Sequence, residues 1–584
     1  MEKRWVVKDQ ENADLESKLS ESLSIDTVLA RLLVQRGVNC FLDAKDFFRP
    51  TFDNLHDPFL IKDMDKAIDR IEKAIANNER IMVYGDYDVD GTTAVALTYS
   101  FLKDFHQNID FYIPDRYKEG YGISLEGIDF AQNSEVKLII ALDCGIKAMN
   151  QMRYAADKGI DFIICDHHRP GDNLPEAYAV VDPKRPDCNY PYKELSGCGL
   201  GFKLAQAYYQ KNRLPFQELE KFLDLVAVSI AADIVPITGE NRVLAYYGLQ
   251  RLNFNPRPGF ESILFYSNII RKSTPSERTV FTREITINDA VFLIGPRINA
   301  AGRIESGNAA VELLLCEKMG ETHLLSENIN NNNTERRTLD MDITRQALEM
   351  IDNDPDMKSR KSTVLFNQEW HKGVIGIVAS RLTESYYRPT VILTQSNGVI
   401  TGSARSVKDF DVYDAIDACS EYLDHFGGHK YAAGLSLQPE NLDRFQNAFE
   451  QVVANTITDK MLIPEIEIDA ELKLSQINPK FFRIMKQFAP HGPGNMSPVF
   501  LTRGVIDRNS ARVVGKNHLK VTVYHPDEPG VSFNGIAFQQ AQHYDAVHWG
   551  KFFDIVYQIE ENEWNGTKSL QLNIKDIRTY IDKV

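Results

Sequence analysis

IMVYGDYDVDGTTAVALTYSFLKDF, residues 81–105, opens with four apolar residues, breaks at a glycine, and passes three alternating aspartates before an apolar-rich run resumes. A short apolar run bounded by turn residues reads as a buried strand. The longer TTAVALTYSFLKDF reads as a helix, opening at Thr92 after Gly91. The same grammar recurs on both sides. FYIP, KLIIALD, DFIICD and AYAVVD are short β-rich runs, and MDKAIDRIEKAIANNER and IKAMNQMRYAADKG have helical spacing. Strands that alternate with helices predict βαβ units and a parallel sheet between about residues 80 and 250.

Three polar clusters follow three of these strands: Asp86, Asp88 and Asp90; then Asp143; then Asp166, His167 and His168. Open parallel sheets bind ligands at the carboxyl ends of their strands, so the clusters should converge. If the chain stays extended after Gly85, the three aspartates at i, i+2 and i+4 share one face. Carboxylates so close repel unless cations neutralise them. Oxygen ligands with an imidazole suit Mn²⁺ or Mg²⁺, and two such ions can drive in-line attack on a phosphoester. The run also fits the start of an EF-hand loop, but position 12 is Leu97 rather than glutamate, and a strand precedes it. A lone aspartate after a strand is often only a helix cap; three clusters in order are not explained that way.

The 584 residues are too many for one core and imply several domains. We expect an N-terminal helical segment (1–58), a parallel-sheet domain (59–255), a helical connector (256–355), a smaller α/β domain (356–460) and a C-terminal β-barrel of five or six short strands (461–584). The connector holds SENINNNNTERRTLDMDITRQALEM, whose asparagines should lie on the exposed face of a long helix. No run approaches the ~20 apolar residues of a membrane span, and the acidic, polar N-terminus is no signal peptide. Seven scattered cysteines without a CxxC pair fit a reducing cytoplasm. Cys144 and Cys165 adjoin the polar clusters and read as packing residues. A net charge of −16 argues against a DNA-coating protein but not against a nuclease, whose metal site needs carboxylates.

GDYDVDGTTA, LDCG and DHH resemble the first three motifs of the DHH phosphoesterase superfamily, and LVAVSIAADIVPITGENR resembles the fourth, with Asp233 in the ligand position. IPDRYKEGYG, SGCGLGFKL, GPRINAAGRI, WHKGVIGIVASRL, GSARS and FGGHKYAAG extend the resemblance, in order, to the superfamily's bacterial single-strand-specific DNA exonucleases. It implies a DHH domain, a DHHA1 substrate-binding domain and an oligonucleotide-binding (OB) barrel. It makes Asp88, Asp90, Asp143, His167 and Asp233 the metal ligands, with Asp90 and Asp143 bridging two ions. Asp86 and His168 become close supports, His168 facing the scissile phosphate. Tyr84 stands where many relatives carry a metal-binding histidine. The implied activity is 5′→3′ release of mononucleotides from single-stranded DNA in repair and recombination. By analogy a single-strand-binding protein and a helicase are partners. Two rival readings are hydrolysis of short oligonucleotides or cyclic dinucleotides, and a metal-free replication scaffold. The extra N-terminal segment and barrel weigh against the first, and the complete ligand set against the second.

Phosphate-binding candidates follow from chemistry: arginine forks onto phosphate oxygens, and glycines let backbone N–H groups approach. They are Arg116, Arg297 and Arg303, then Ser403, Arg405 and Ser406 in one glycine-rich turn, and Gly427, Gly428 and His429 in another. Trp370, beside His371, is either a base-stacking platform or core. In the barrel, Arg503, Arg508, Arg512, Lys516 and Lys520 outnumber Asp507, an excess suited to a nucleic-acid backbone.

Overall fold

The computed structural model describes residues 2–10, 12–304, 306–396, 398–548, 550–564 and 567–580. The chain divides into two compact units, Phe52–Leu462 and a second made of Met1–Thr51 with Ile463–Val584.

The larger unit contains the expected parallel sheet. Its strand order is Ile109–Tyr112, Arg80–Gly85, Val136–Leu142, Asp161–Cys165, Ala179–Val181, and every pairing is parallel. Both faces are buried, which is why these strands read as continuous apolar runs. Successive side chains point to opposite faces. Ile81, Val83, Leu138 and Ile140 therefore pack against the helices Met64–Ala76, Val89–Lys103 and Gly197–Lys211. Met82, Tyr84, Ile139 and Ala141 pack against Leu125–Asn133 and Met149–Asp157.

The helix after the first strand begins earlier than the sequence suggests. It spans Val89–Lys103, with Asp88 as its N-cap accepting from Gly91 N–H at 3.0 Å. The three alternating aspartates are thus not an extended face: Asp86 ends the strand, Asp88 caps the helix and Asp90 sits in its first turn. Helical turn, not pleat, sets their directions. The cap wins because its side chain satisfies an otherwise orphaned helical N–H.

Helices fill the connector, ending in one of 35 residues, Met319–Asn353. The asparagine run lies on it, but not wholly on an exposed face. Ile329 and Asn333 are buried, because a run of six residues wraps more than one helical turn. The second sheet of this unit has the order His425–His429, Ala432–Leu437, Val399–Arg405, Thr390–Ser396, Thr363–Phe366. The two glycine-rich "turns" of the sequence are strands of this sheet, since their alternate small residues still satisfy the backbone ladder.

In the smaller unit the N-terminal segment is not a separate lead-in, and 1–58 does not stay together. It starts with a strand, Arg4–Val7, paired in parallel with Glu465–Ile468. Its three helices share one core with Phe481, Phe488 and the C-terminal strands. Its last residues, 52–58, belong to the larger unit. Too short for its own core, the segment buries its apolar helix faces on the barrel. Among the described residues the barrel has seven strands; Arg512–Val514 is the one the sequence reading lacks. Pairing of Ile506 with Tyr524 and Asp507 with Val523 joins Phe500–Asp507 to His518–Tyr524.

Candidate active site

Register aligns the ends of four strands. Gly85 pairs with Leu142, Leu142 with Cys165, and Cys165 with Val181. The next residue in each strand is an aspartate, so Asp86, Asp143, Asp166 and Asp182 form a row along the carboxyl edge. Asp182 was not singled out in the sequence; it looks there like any aspartate before a proline.

The site centres on His167. Its Nε2 lies 3.1 Å from Asp143 Oδ1, 3.6 Å from Asp90 Oδ2 and 3.6 Å from Asp233 Oδ2. Among the described residues two groups have ligand atoms all within 4.8 Å of one another: Asp90, His167 and Asp233; and Asp143, His167 and His168. Asp88 is a near electrostatic neighbour of Asp90 and Asp143. The five expected ligands therefore converge, Asp233 arriving from the end of the helix Leu223–Ala232.

Asp143 has φ of 58°, a left-handed conformation costing about 1 kcal/mol outside glycine. The loop behind it is pinned by Asp166, whose carboxylate accepts from Ile146 N–H at 2.8 Å. Asp166 also accepts from the His168 N–H and from Nδ1–H of its ring at 2.8 Å. Burial opposes ionisation of Asp166, but the His168 bonds outweigh it and hold the group below its ordinary pKa. Burial also works against a charged His168, yet Asp166 raises it to about 9.

Asp90 is held by the chain itself. Gly197 and Cys198 N–H donate to its Oδ2 and Oδ1 at 2.7 and 2.8 Å, and Ser229 Oγ–H to Oδ1 at 2.7 Å. The SGCG stretch thus aims a helix N-terminus at Asp90, which suits a carboxylate. Its small residues at a helix start were the available signal. Three of the four acceptor positions of Asp90 are filled, so it can offer one more contact, from Oδ2. One open position suits contact with a single ion. Among the described residues Asp143 shows no backbone or hydroxyl donor on its carboxylate, so more of its acceptor positions are open than those of Asp90.

The residues fit divalent cations. Asp86 is fully buried with no hydrogen bond of good geometry to either oxygen, the Tyr87 and Gly122 N–H groups lying only near enough to temper its raised pKa, and His167 Nδ1 is unpartnered. Burial, then neighbouring carboxylates, push Asp86, Asp88 and Asp143 above the ordinary range, and Asp233 up to about 8. Such a cluster needs positive charge, and carboxylate oxygens with imidazole suit Mn²⁺ or Mg²⁺. Tyr84 contributes nothing there. Its buried hydroxyl donates to Gly122 O at 3.0 Å and accepts from Ser124 N–H at 3.1 Å.

A guanidinium cluster adjoins this centre. Arg303 is lowered to about 10 by burial and then by the charges of Arg116, Arg336 and Arg405. Arg116 lies over the Tyr87 ring at 4.9 Å, one residue from Asp86 in the chain. Arg405 bonds Ser403 Oγ at 3.0 Å. In the sheet, His429 pairs with Ala432 and Ala432 with Arg405; Gly427 pairs with Gly434 and Gly434 with Ser403. His429 and Arg405 thus share one row, with only an alanine between. Gly428 is the fixed glycine of this hairpin: its φ is 149°, and a Cβ there would meet Ala432 O at 2.3 Å.

Three candidates take other roles. Arg297 spends its guanidinium on Asn330 Oδ1 (3.2 Å), Leu293 O (2.8 Å) and Tyr266 O (3.3 Å), tying helices together rather than facing a phosphate. Ser406 donates its hydroxyl to Phe410 O within its own turn. Trp370 is core, its Nε1–H held by Gln346 Oε1 at 2.9 Å. Arg336, on the long helix, was missed because its run reads as an ordinary solvated face.

In the barrel the basic excess is smaller than counted. Arg503 is paired with Glu471 at 2.8 Å and Asp554 at 3.6 Å. Arg512 stands directly opposite Lys520, Arg508 lies over the Tyr524 ring at 4.6 Å, and Lys516 is exposed. Asp507 is buried and caps Ser510, Ala511 and Thr522 N–H groups.

Residues 80–230 match the DHH family, N-terminal domain; 360–455 the DHHA1 domain; and 468–576 the RecJ OB domain. The single-stranded-DNA-specific exonuclease RecJ of Bacillus subtilis (strain 168) is 35% identical over 98% of this chain and 70% of its own length. That of Escherichia coli (strain K12) is 31% identical over 97% of each. The crystal structure of RecJ from Thermus thermophilus in complex with Mn²⁺ superposes with a TM-score of 0.82, at 27% identity, over 99% of this chain and 79% of that one.

Proposed function

The chain belongs to the RecJ family of single-stranded-DNA-specific exonucleases, and from that membership and its site we propose that it shortens single-stranded DNA from the 5′ end by metal-dependent phosphodiester hydrolysis. The observation that carries this is one juxtaposition: a carboxylate–imidazole centre lies beside a cluster of arginines, Arg116, Arg303 and Arg405. A cluster of guanidiniums suits a terminal phosphate, which bears more charge than an internal diester. An end held there presents the next bond to the aspartate row.

When bound, divalent cations at Asp88, Asp90, Asp143, His167 and Asp233 would supply acidified water and neutralise charge on the phosphate. The chain's own residues do the rest. Arg405, oriented by Ser403, and Arg303 fix the end. His168 keeps its Nδ1–H on Asp166, so its Nε2–H is free to donate to the scissile phosphate, and at neutral pH it is protonated. His429 and the glycine strand beside Arg405 line the path of the strand. In the barrel, the charges of Arg512, Lys516 and Lys520 suit the backbone of a single strand.

Cytoplasmic residence is part of this reading: all seven cysteines are free thiols, and among the described residues no helix is long and apolar enough to cross a membrane. A helicase and a single-strand-binding protein would supply and protect its substrate in repair and recombination.

The test uses single strands labelled at either end, and duplexes, with Mn²⁺. The expected result is early release of the 5′ label as mononucleotide, an intact duplex, and no reaction with Asp143→Ala. Equal digestion of duplex, or preferential release of the 3′ label, would overturn it.

A further inference from the structure

Ser229 is a fully buried residue of the helix Leu223–Ala232. We propose that it is the positioning residue of the Asp90–His167–Asp233 ion site, setting two of its three ligands with two different atoms. The proposal rests on the metal-dependent reading above.

The hydroxyl acts on Asp90. Ser229 Oγ lies 2.7 Å from Asp90 Oδ1 and 2.6 Å from Ser196 Oγ. A hydroxyl carries one hydrogen. The carboxylate has none to give, so Ser229 donates to Asp90 and accepts from Ser196. Ser196 Oγ in turn accepts from Gly199 N–H at 3.1 Å, as the cap of its helix. The order is therefore Gly199 N–H, Ser196 hydroxyl, Ser229 hydroxyl, Asp90, each donating to the next.

The backbone acts on Asp233. The carbonyl of Ser229 accepts from Asp233 N–H at 2.9 Å, closing the last helical bond before the ligand. One residue thus fixes the distance between two carboxylates that come from distant parts of the chain.

The hydroxyl also selects which oxygen of Asp90 faces the ion. Cys198 N–H and Ser229 fill Oδ1, and Gly197 N–H takes one position on Oδ2. The position left open is on Oδ2, the oxygen 3.6 Å from His167 Nε2. Without the Ser229 hydroxyl, Oδ1 gains an open position and the carboxylate can rotate. Ligand-orienting partners of this kind are typically worth ~10–100-fold in metal affinity.

The test is Mn²⁺ titration calorimetry on the full-length protein and on Ser229→Ala and Ser229→Thr, with circular-dichroism melting as a folding control. Wild type should bind two ions. Ser229→Ala should weaken one of them about tenfold or more and leave the other, and the Mn²⁺ needed for half-maximal hydrolysis should rise in step. Ser229→Thr, which keeps the hydroxyl, should restore the affinity. A crystal of wild type with Mn²⁺ provides the reading that does not depend on variant folding: Asp90 should ligate through Oδ2 alone, with Ser229 still on Oδ1. Both Asp90 oxygens on the ion, or wild-type affinity at both sites in folded Ser229→Ala, would overturn the proposal. Failure of wild type to bind Mn²⁺ at all would instead overturn the metal-dependent reading beneath it.

Discussion

A Cβ added to Gly197 would lie 2.7 Å from the Asp143 Cβ and 3.1 Å from Asp90 Oδ2. The helix N-terminus that holds Asp90 thus comes so close to the strand end carrying Asp143 that only a glycine fits. Gly197→Ala should push the N–H donor off Asp90 and cost ~1–3 kcal/mol by overpacking. Hydrolysis should fall at least ~100-fold, since a shift of about 1 Å is enough for that. Kinetics and thermal melting of the variant check this; near-wild-type turnover would mean that the helix relaxes away freely.

Asp143 should behave differently as asparagine and as alanine. Either change removes the only carboxylate of the Asp143–His167–His168 group, and hydrolysis should drop by ~10³-fold or more. Without metal, Asp143→Asn should melt above wild type, because it relieves buried repulsion from Asp90 and Asp88. It should also exceed Asp143→Ala by about 1 kcal/mol, since asparagine tolerates the left-handed backbone at φ 58°. Melting in chelator gives the order.

The metal-free protein should lose stability as pH rises from about 6.5 to 9. Asp233, raised to about 8 in the fold, keeps a proton that the unfolded chain sheds at its ordinary pKa of ~4, so its contribution falls steadily from about pH 4 and is lost by about 8. His168, raised to about 9, contributes stability that is complete below its unfolded pKa of roughly 6.5 and is lost through 9. Both trends have the same sign. Saturating Mn²⁺ should flatten the fall, because the cations replace the protons. Melting temperatures across this range, with chelator and with Mn²⁺, would contradict the assignment if the two curves ran parallel.

Arg405 and Arg297 should separate binding from scaffolding. Arg405→Lys loses the fork geometry and should raise KM ~10–100-fold for 5′-phosphorylated strands, and less for 5′-hydroxyl strands. Arg297→Lys should leave KM near wild type and lower stability by ~1–3 kcal/mol, because its bonds go to Asn330 and two helix carbonyls. KM measured on both end groups, with melting curves, distinguishes the two.

Arg512 and Lys520 stand opposite each other with like charge. Replacing both by alanine should lower the slope of log affinity against log salt by roughly 1.4 for a long single strand. It should also stabilise the barrel slightly, by ~0.2–1 kcal/mol. An unchanged salt slope would remove this face from the DNA path.

The parallel sheet, the strand-end position of the site and the clusters that contain four of its five proposed ligands were legible in the chain alone, because they follow from local pattern. Apolar runs such as KLIIALD can only be buried strands, and the aspartates stand where such strands stop. The choice of ligands within those clusters, and Asp233 altogether, came from resemblance in motif, since nothing in a helix end distinguishes that aspartate from any other. What tertiary structure decided is how each group is held. Asp88 turned out to be a helix cap, Asp90 a carboxylate with three of its positions filled, Arg297 a tie between helices and Trp370 core. For Asp90 the partners lie more than a hundred residues away, Cys198 and Ser229. A sequence fixes which donors a chain carries; only folding brings a particular donor within 3 Å of a particular acceptor, and that distance determines whether a polar group is free to bind or already satisfied.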